Sequence, residues 1–396
     1  MHFIGIKIIL LKTLLLVSAD LFAKDVLVIG SKFNYPWYFE NSLNASQVFE
    51  NEFNIVPEYL FHIPVKRLKK QAEDHEQLAR FRTLTHKNFK EIITESLSRS
   101  TQNEKLIYFN GHGGFSKQEN IIYDSKKILD SFYFPMIKNK FVGPKITDIR
   151  EAIRGAINTP TAIVSSQCYS GSFHFLSSQI KNLCSVSNAP WWRRATVDTD
   201  GSRYIKNLFS LYDVDFDFNG DKTHTLFESH IKAMSHEAAN FGFPQISSWS
   251  QLDYLLCGQG FRLINGRPRC LDEQYLDSEG VFFKIRNDEA LKQVTTTTYE
   301  FNLLDQDQID FLHPKLKNFY LKFINSDFFL GNRSWQSVSR TQFQPRNNSD
   351  ENARFYTIYQ ILVNLKKYTL AKKVKNSQEL ESIDQLIDCE FSARIF

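Results

Sequence analysis

Little in this sequence is extreme, and each shortage excludes something. Its 48 Lys and Arg against 44 Asp and Glu leave a net charge of only +4. That is too small to argue for a nucleic acid or an anionic membrane as partner, and no Lys/Arg run or aromatic-studded basic stripe compensates. Long apolar runs are missing as well. The one near the start is interrupted by Lys12 and Asp20 and falls far short of the roughly 20 apolar residues a membrane span needs. Zinc patterns fail too: His236-Glu237-Ala-Ala-Asn240 puts an amide where the zinc helix needs its second histidine, and Cys257 and Cys270 lack close paired spacing. There is no internal repeat. What is present, 42% hydrophobic and 23% charged residues, is ordinary for a folded protein and excludes a disordered or fibrous one.

The first 23 residues combine a basic start, a short apolar run over Thr13–Val17 and small residues at Ala19 and Ala23. This pattern predicts a secretory signal over 1–23 and hence an exported, periplasmic or secreted protein. Cleavage after Ala23 removes Lys7, Lys12 and Asp20, so the net charge falls by one to +3. Cysteines number only five, and in an exported chain an odd number leaves one thiol free or bridged to another molecule. With Cys168 kept free, Cys257 and Cys270 are the first expected bridge, because they flank a Gly-bearing turn segment. Cys184 and Cys389 then form the remaining one. The alternative is four buried free thiols.

Asp25–Ser31, Lys105–Asn110, Thr161–Ser166 and Leu183–Ser187 read as buried strands, with helices expected around Asn44–Glu52, Lys70–Arg80, His86–Ser98 and Thr147–Ile157. Strands alternating with helices predict a mainly parallel α/β sheet flanked by helices on both faces. Past Trp249 the pattern changes to a turn-rich piece, a polar stretch over 344–353 and two helices, one carrying Phe355, Ile358, Leu362 and Leu365, the other Leu380, Ile383, Leu386 and Ile387. The expected division is therefore 24–249 and a mostly helical C-terminal extension, 250–396.

Two strands end in chemistry. Leu106-Ile-Tyr-Phe-Asn-Gly-His112-Gly-Gly and Ala162-Ile-Val-Ser-Ser-Gln-Cys168-Tyr-Ser-Gly-Ser each run from an apolar strand into a Gly- or Ser-rich elbow. Ligands of open α/β sheets bind beyond the carboxyl ends of strands. A thiol attacks a carbonyl as thiolate, favoured by a nearby imidazolium and by a helix N-terminus. A helix over Ser172–Asn182 supplies the latter expectation. The backbone N–H groups of Cys168 and Gly113 are the expected oxyanion donors, the glycine because nothing obstructs its amide. Singly, Cys168 as a buried strand-end residue and His112 as a loop histidine are the plainer readings; together, 56 positions apart, they fit the caspase-type spacing of about 50 residues better.

These motifs resemble those of the legumain-like asparaginyl endopeptidases within the caspase-like group. Ile107-Tyr-Phe-Asn-Gly-His112-Gly and Ser166-Gln-Cys168-Tyr-Ser170-Gly171-Ser172 resemble the His-Gly and Cys-x-Ser-Gly-Ser motifs, and Val28-Ile-Gly-Ser31, Trp37-Tyr38 and Asn44-Ala45 extend the likeness, which covers 25–248. The resemblance implies a caspase-like α/β fold and endopeptidase or transpeptidase activity on a peptide or protein substrate. His112 would be base and then acid, Cys168 nucleophile and Gly113 part of the oxyanion hole. The orienting asparagine would fall at Asn34, after an intervening Lys32-Phe33. The basic residue of the asparagine pocket would fall at Glu40 or Asn41; a carboxylate there favours a basic P1 residue instead. A helical C-terminal tail that shields the site of a precursor is a further implication, with Asn347-Asn348 as the processing point. The alternative function is a catalytically inactive caspase-like binding protein with a calcium-stabilised loop.

No cofactor is required for this chemistry. A structural calcium ion is a separate expectation, from Asp213-Val-Asp215-Phe-Asp217-Phe-Asn219-Gly220-Asp221-Lys-Thr-His-Thr225-Leu-Phe-Glu228. Begun at Asp217, the ligand positions of a calcium loop are Asp217, Asn219, Asp221, the Thr223 carbonyl, Thr225 and Glu228, with Lys222 replacing the turn glycine. Begun at Asp215, Gly220 is well placed but Leu226 replaces the closing carboxylate. The competing reading is a capping box, Thr225 as N-cap and Glu228 three residues on.

Overall fold

Seven strands make the central sheet of the computed structural model. It describes residues 24–30, 42, 45, 47–51, 54–61, 82–85, 87–99, 103–116, 121–133, 144–192, 194–195, 203–210, 213–236, 244–257, 261–264, 267–270, 303–331 and 350–395. The strands are β1 (Lys24–Gly30), β2 (Glu58–Phe61), β3 (Arg82–Thr83), β4 (Glu104–Asn110), β8 (Thr161–Ser165), β9 (Leu183–Ser187) and β10 (Gln245–Ile246). Between β4 and β8 lie three two-residue strands, β5 (Gly114–Phe115), β6 (Ile122–Tyr123) and β7 (Phe132–Tyr133); β11 (Phe261–Ile264) and β12 (Arg267–Cys270) form a hairpin beside β6. The order in the main sheet is β10-β9-β8-β4-β1-β2-β3. All pairings are parallel except the edge pair β9 and β10. The mainly parallel α/β sheet expected from the alternating pattern is therefore present.

Near-continuous apolar strands arise because both faces are covered. Alternate residues point to opposite sides. Leu27, Ile29, Ile107, Phe109 and Ile163 face one core, and Val26, Val28, Leu106, Tyr108, Ala162, Val164 and Val186 the other. The first core is closed by α1 (Phe89–Ser98), α2 (Ser125–Ser131), α3 (Ile146–Ile153) and α4 (Ser172–Ser177). In α3, Ile146, Ile149 and Ile153 are buried at helical spacing while Arg150 and Glu151 face out. The helix stops at Ile153, four residues before the expected Ile157, and Gly155 follows in the left-handed region at φ 87°.

The second core is closed by elements from far along the chain: α5 (Arg203–Leu208), α6 (Leu226–His236), α7 (Ser247–Leu256), α8 (Gln306–Phe311), α9 (Pro314–Phe323), α10 (Asp327–Leu330), α11 (Asp350–Val374) and α12 (Ser377–Glu390). Phe319, Phe323, Ile361, Leu362, Leu365, Ile383 and Ile395 sit in the same apolar cluster as Val28 and Tyr108. Residue 249, where the C-terminal extension was expected to begin, lies inside α7, and the helices beyond it share an apolar core with the first strand.

Polar contacts seal the same union. Lys367 of α11 meets Asp253 of α7 at 2.7 Å with both side chains about 5% exposed or less. Cys184 of β9 is bonded to Cys389 of α12. The Cys389 sulfur lies 3.8 Å from the Thr161 carbonyl and 3.5 Å from that of Asn182, at the amino-terminal ends of β8 and β9. The described end of α12 thus sits at the edge of the sheet opposite Cys168; Asn347 and Asn348 lie outside the described residues. Among the described residues no helix is long and apolar enough to cross a membrane.

Candidate active site

β4 and β8 are adjacent and parallel, with Phe109 opposite Ser165. His112 and Cys168 each lie three residues beyond that pair. Equal overhang from neighbouring parallel strands delivers both turns to one carboxyl edge, where open α/β sheets bind ligands. The Ser166 N–H still donates to the Phe109 carbonyl at 3.0 Å, so the pairing persists one residue past the strands.

Backbone geometry brings the turns together. Gly111 adopts φ 123°, which a side chain would disfavour, and it turns the chain into His112. A Cβ at Gly113 would overlap the carbonyl of Cys168, so the two backbones touch only because residue 113 has no side chain. On the other side, a Cβ at Gly171 would strike the backbone of Pro190 and Trp191. Tyr169, directly after the thiol, sits at φ 61°, a conformation that costs a non-glycine residue about 1 kcal/mol or more. Its ring lies 5.7 Å from Phe115 and 6.4 Å from Phe132, and this apolar packing holds the turn.

A polar lattice beneath the turns was not evident from the motifs. Asn110 donates to Ser42 Oγ at 2.8 Å and accepts from Ser166 Oγ at 2.9 Å, tying the β4 exit to the β8 exit. Asn188, just past β9, donates to the Ser166 carbonyl at 3.3 Å, and its Oδ1 lies 3.3 Å from Ser170 Oγ. The signal available in the sequence was position: Asn110 closes β4 and Asn188 follows β9, both at this edge.

Cys168 is half-buried and is free among the described cysteines. Its thiol pKa is pushed up by burial; the Ala195 backbone and the Arg194 charge oppose that push. The sulfur lies 3.9 Å from the Ala195 carbonyl. Arg194, exposed, is held in its charged form by a hydrogen bond to Tyr169 and by attraction to Cys168. The helix expected over Ser172–Asn182 is only Ser172–Ser177, entered through a tight turn in which Ser172, Phe173 and His174 bond back three residues. The thiol therefore precedes a helix of six residues by four positions and gains less from its dipole than expected. His112 is half-buried. Asn34, Glu40 and Asn41, the candidate orienting and specificity residues, lie outside the described residues.

The second expected bridge, Cys184 to Cys389, is formed, with Cα atoms 5.8 Å apart. Cys257 is also disulfide-bonded; the side chain of Cys270, its expected partner, lies outside the described residues.

In the 217–228 loop the oxygens already serve the backbone. Asp217 accepts from the N–H groups of Gly220 at 2.7 Å and Lys222 at 2.9 Å, Asn219 from Asp221 at 2.8 Å, and Asp221 from Thr223 at 2.8 Å. Gly220 and Lys222 take the left-handed region at φ 78° and 64°. Glu228 Oε2 accepts from Thr225 N at 3.0 Å and Oγ1 at 2.9 Å, and Glu228 N donates to Thr225 Oγ1 at 3.2 Å. The contacts of the capping box are thus made. Among the described residues no group of three or more His, Cys, Asp or Glu is gathered as a metal would need.

No protein-family model matches the chain, and no curated protein matches it significantly.

Proposed function

We propose that the chain is an exported cysteine endopeptidase, similar in its two motifs to the legumain-like enzymes, in which Cys168 attacks a peptide carbonyl and His112 moves the proton. The observation that carries this reading is the equal overhang of His112 and Cys168 from adjacent parallel strands, with the Gly113 backbone against that of Cys168. The thiol proton passes first to the imidazole, and the resulting thiolate forms the Sγ–C bond. Collapse of the adduct breaks the C–N bond, and His112 returns the proton to the leaving amine. Water, deprotonated by His112, then attacks the thioester and releases the acid and the thiol; an amine in place of water gives transpeptidation. The N–H groups of Gly113 and Cys168 are the donors for the oxyanion.

Burial raises the Cys168 thiol, so its thiolate needs a positive neighbour, and a protonated His112 supplies it in the ion pair that such enzymes use. The Cys184–Cys389 bond supports an oxidising compartment and hence export. The raised thiol is also the observation that favours the second reading, an inactive caspase-like binding protein. A structural calcium ion in the 217–228 loop has no part in the bond-making steps and is a separate proposal. Profiling a peptide library with wild type, Cys168→Ala and His112→Ala, with and without chelator, tests both. The peptidase reading expects cleavage by wild type alone, and loss of thermal stability in chelator marks the ion. Equal product from Cys168→Ala, or none from wild type, overturns the peptidase reading.

A further inference from the structure

His174 is buried to 0% exposure two residues into α4, six positions after the thiol. Its Nε2 lies 2.9 Å from Ser187 Oγ, and that hydroxyl donates to the Ala189 carbonyl at 3.0 Å. On the other side of the ring, Nδ1 lies 2.8 Å from Ser185 Oγ, which is also 2.9 Å from Ser177 Oγ. Burial lowers the imidazole pKa to about 3, in keeping with a neutral ring. The result is a buried polar chain that joins Ser185, the imidazole, Ser187 and the Ala189 carbonyl.

Both ends of the chain matter. The Ala189 carbonyl also receives the Gly171 N–H at 2.8 Å and Ser170 Oγ at 3.2 Å, two groups of the turn that carries Cys168. At the other end, the Ser185 N–H donates to Ser247 Oγ at 3.1 Å. Ser247 Oγ in turn donates to Glu390 of α12 at 2.7 Å, and Glu390 also receives the Ser248 N–H at 2.7 Å and Ser248 Oγ at 2.6 Å. Gln251 of α7 holds the His174 carbonyl at 3.2 Å. The polar path follows β9 from the disulfide end of the sheet to the thiol end.

We infer that His174 is a positioning residue for Cys168: its ring bridges Ser185 and Ser187 and so holds the Ala189 carbonyl on which the thiol-bearing turn hangs, with Glu390 of the C-terminal helix anchoring the path. This rests on Cys168 being the nucleophile proposed above. A ring that donates on one side and accepts on the other sets a turn more sharply than apolar packing does, because reversing either bond leaves a buried group unsatisfied.

The test is the rate of Cys168 alkylation by iodoacetamide across pH, with kcat, KM and melting temperature, for wild type, His174→Phe, His174→Gln and Ser187→Ala. His174→Phe keeps a planar ring and removes both bonds; a shifted alkylation midpoint and a kcat at least tenfold lower at unchanged KM are expected. His174→Gln, which can donate to Ser187, should recover most of the loss. Ser187→Ala, which deletes one hydroxyl and serves should His174→Phe not fold, should shift the alkylation midpoint in the same direction by a smaller amount. Wild-type alkylation profiles in a folded His174→Phe protein, or in Ser187→Ala, overturn the inference. Alkylation needs no peptide cleavage, so a wild type that reacts at Cys168 yet cleaves nothing ends the peptidase reading while the variants still decide the role of His174.

Discussion

The two faces of the central sheet are held by different means. The first is covered by helices that follow closely on their strands, and most of its ion pairs lie toward the surface: Arg82 with Glu58 and Glu95, Arg99 with the same two, and Lys90 with Glu151, while the buried Lys105 reaches the more exposed Asp25. The second is covered by helices arriving from as far as α12, and beside more exposed pairs such as Lys315 with Asp388 it holds a fully buried pair and a covalent bond: Lys367 with Asp253, and Cys184 with Cys389, with Glu390 buried on the N-terminal turn of α7. Local closure rests mainly on apolar spacing. Distant closure must hold a large loop shut, and buried pairs and a disulfide do that where exposed pairs contribute little.

Breaking the buried pair should have the largest effect. Lys367→Met leaves Asp253 charged and unpartnered by its lysine, and should lower unfolding free energy by about 3–5 kcal/mol. Adding Asp253→Leu should restore most of that in denaturant titrations; a double variant as weak as the single one would show that the pair is not the cause. Next, Cys184→Ala with Cys389→Ala should cost about 2–5 kcal/mol. An unchanged melting temperature would mean that the distant face closes without its bond.

Acid sharpens the contrast further. His174 and His230 are fully buried and have pKa values lowered to about 3 by burial, against 6.5 when exposed. The unfolded chain takes up these protons and the folded one does not, so their contribution is intact above 6.5 and lost as pH falls toward 3. At pH 5 the loss is about 2 kcal/mol for each. Glu390 has the opposite sign: burial raises it to about 7 from 4.5, so it favours the fold at low pH and loses that contribution as pH rises through 7. Glu390→Gln should therefore steepen the acid loss between 4.5 and 7, and a slope unchanged from wild type would deny Glu390 a buried site. The smallest effect is expected on the first face, where Lys90→Ala should leave the melting temperature unaltered, since both Lys90 and its Glu151 partner are exposed.

The same contrast governs what could be read from the chain. Apolar runs such as Val26–Ile29 and Leu106–Phe109 announced their strands, and Ile149 and Ile153 announced a helix, because these elements bury local patterns. The placement of α11 and α12 against the sheet was not legible, since apolar spacing says that a face is buried and not against what. His112 and Cys168 stand out as candidates through the glycine- and serine-rich elbows at strand ends, a local signal. Asn110, Asn188, Arg194 and His174 were missed because each acts through partners on another element. The calcium pattern and the capping box share Thr225 and Glu228, and the contacts made are those of the cap, because a side chain three residues into a helix reaches its own N-terminus unaided.

The central claim, that the edge carrying both turns is reactive, is tested most directly by intact mass after incubation with a peptidyl acyloxymethyl ketone. The account predicts a single adduct on wild type at Cys168, none on Cys168→Ala, and at least a hundredfold slower reaction for His112→Ala. Unlabelled wild type, or an adduct that forms as fast without His112, would contradict it.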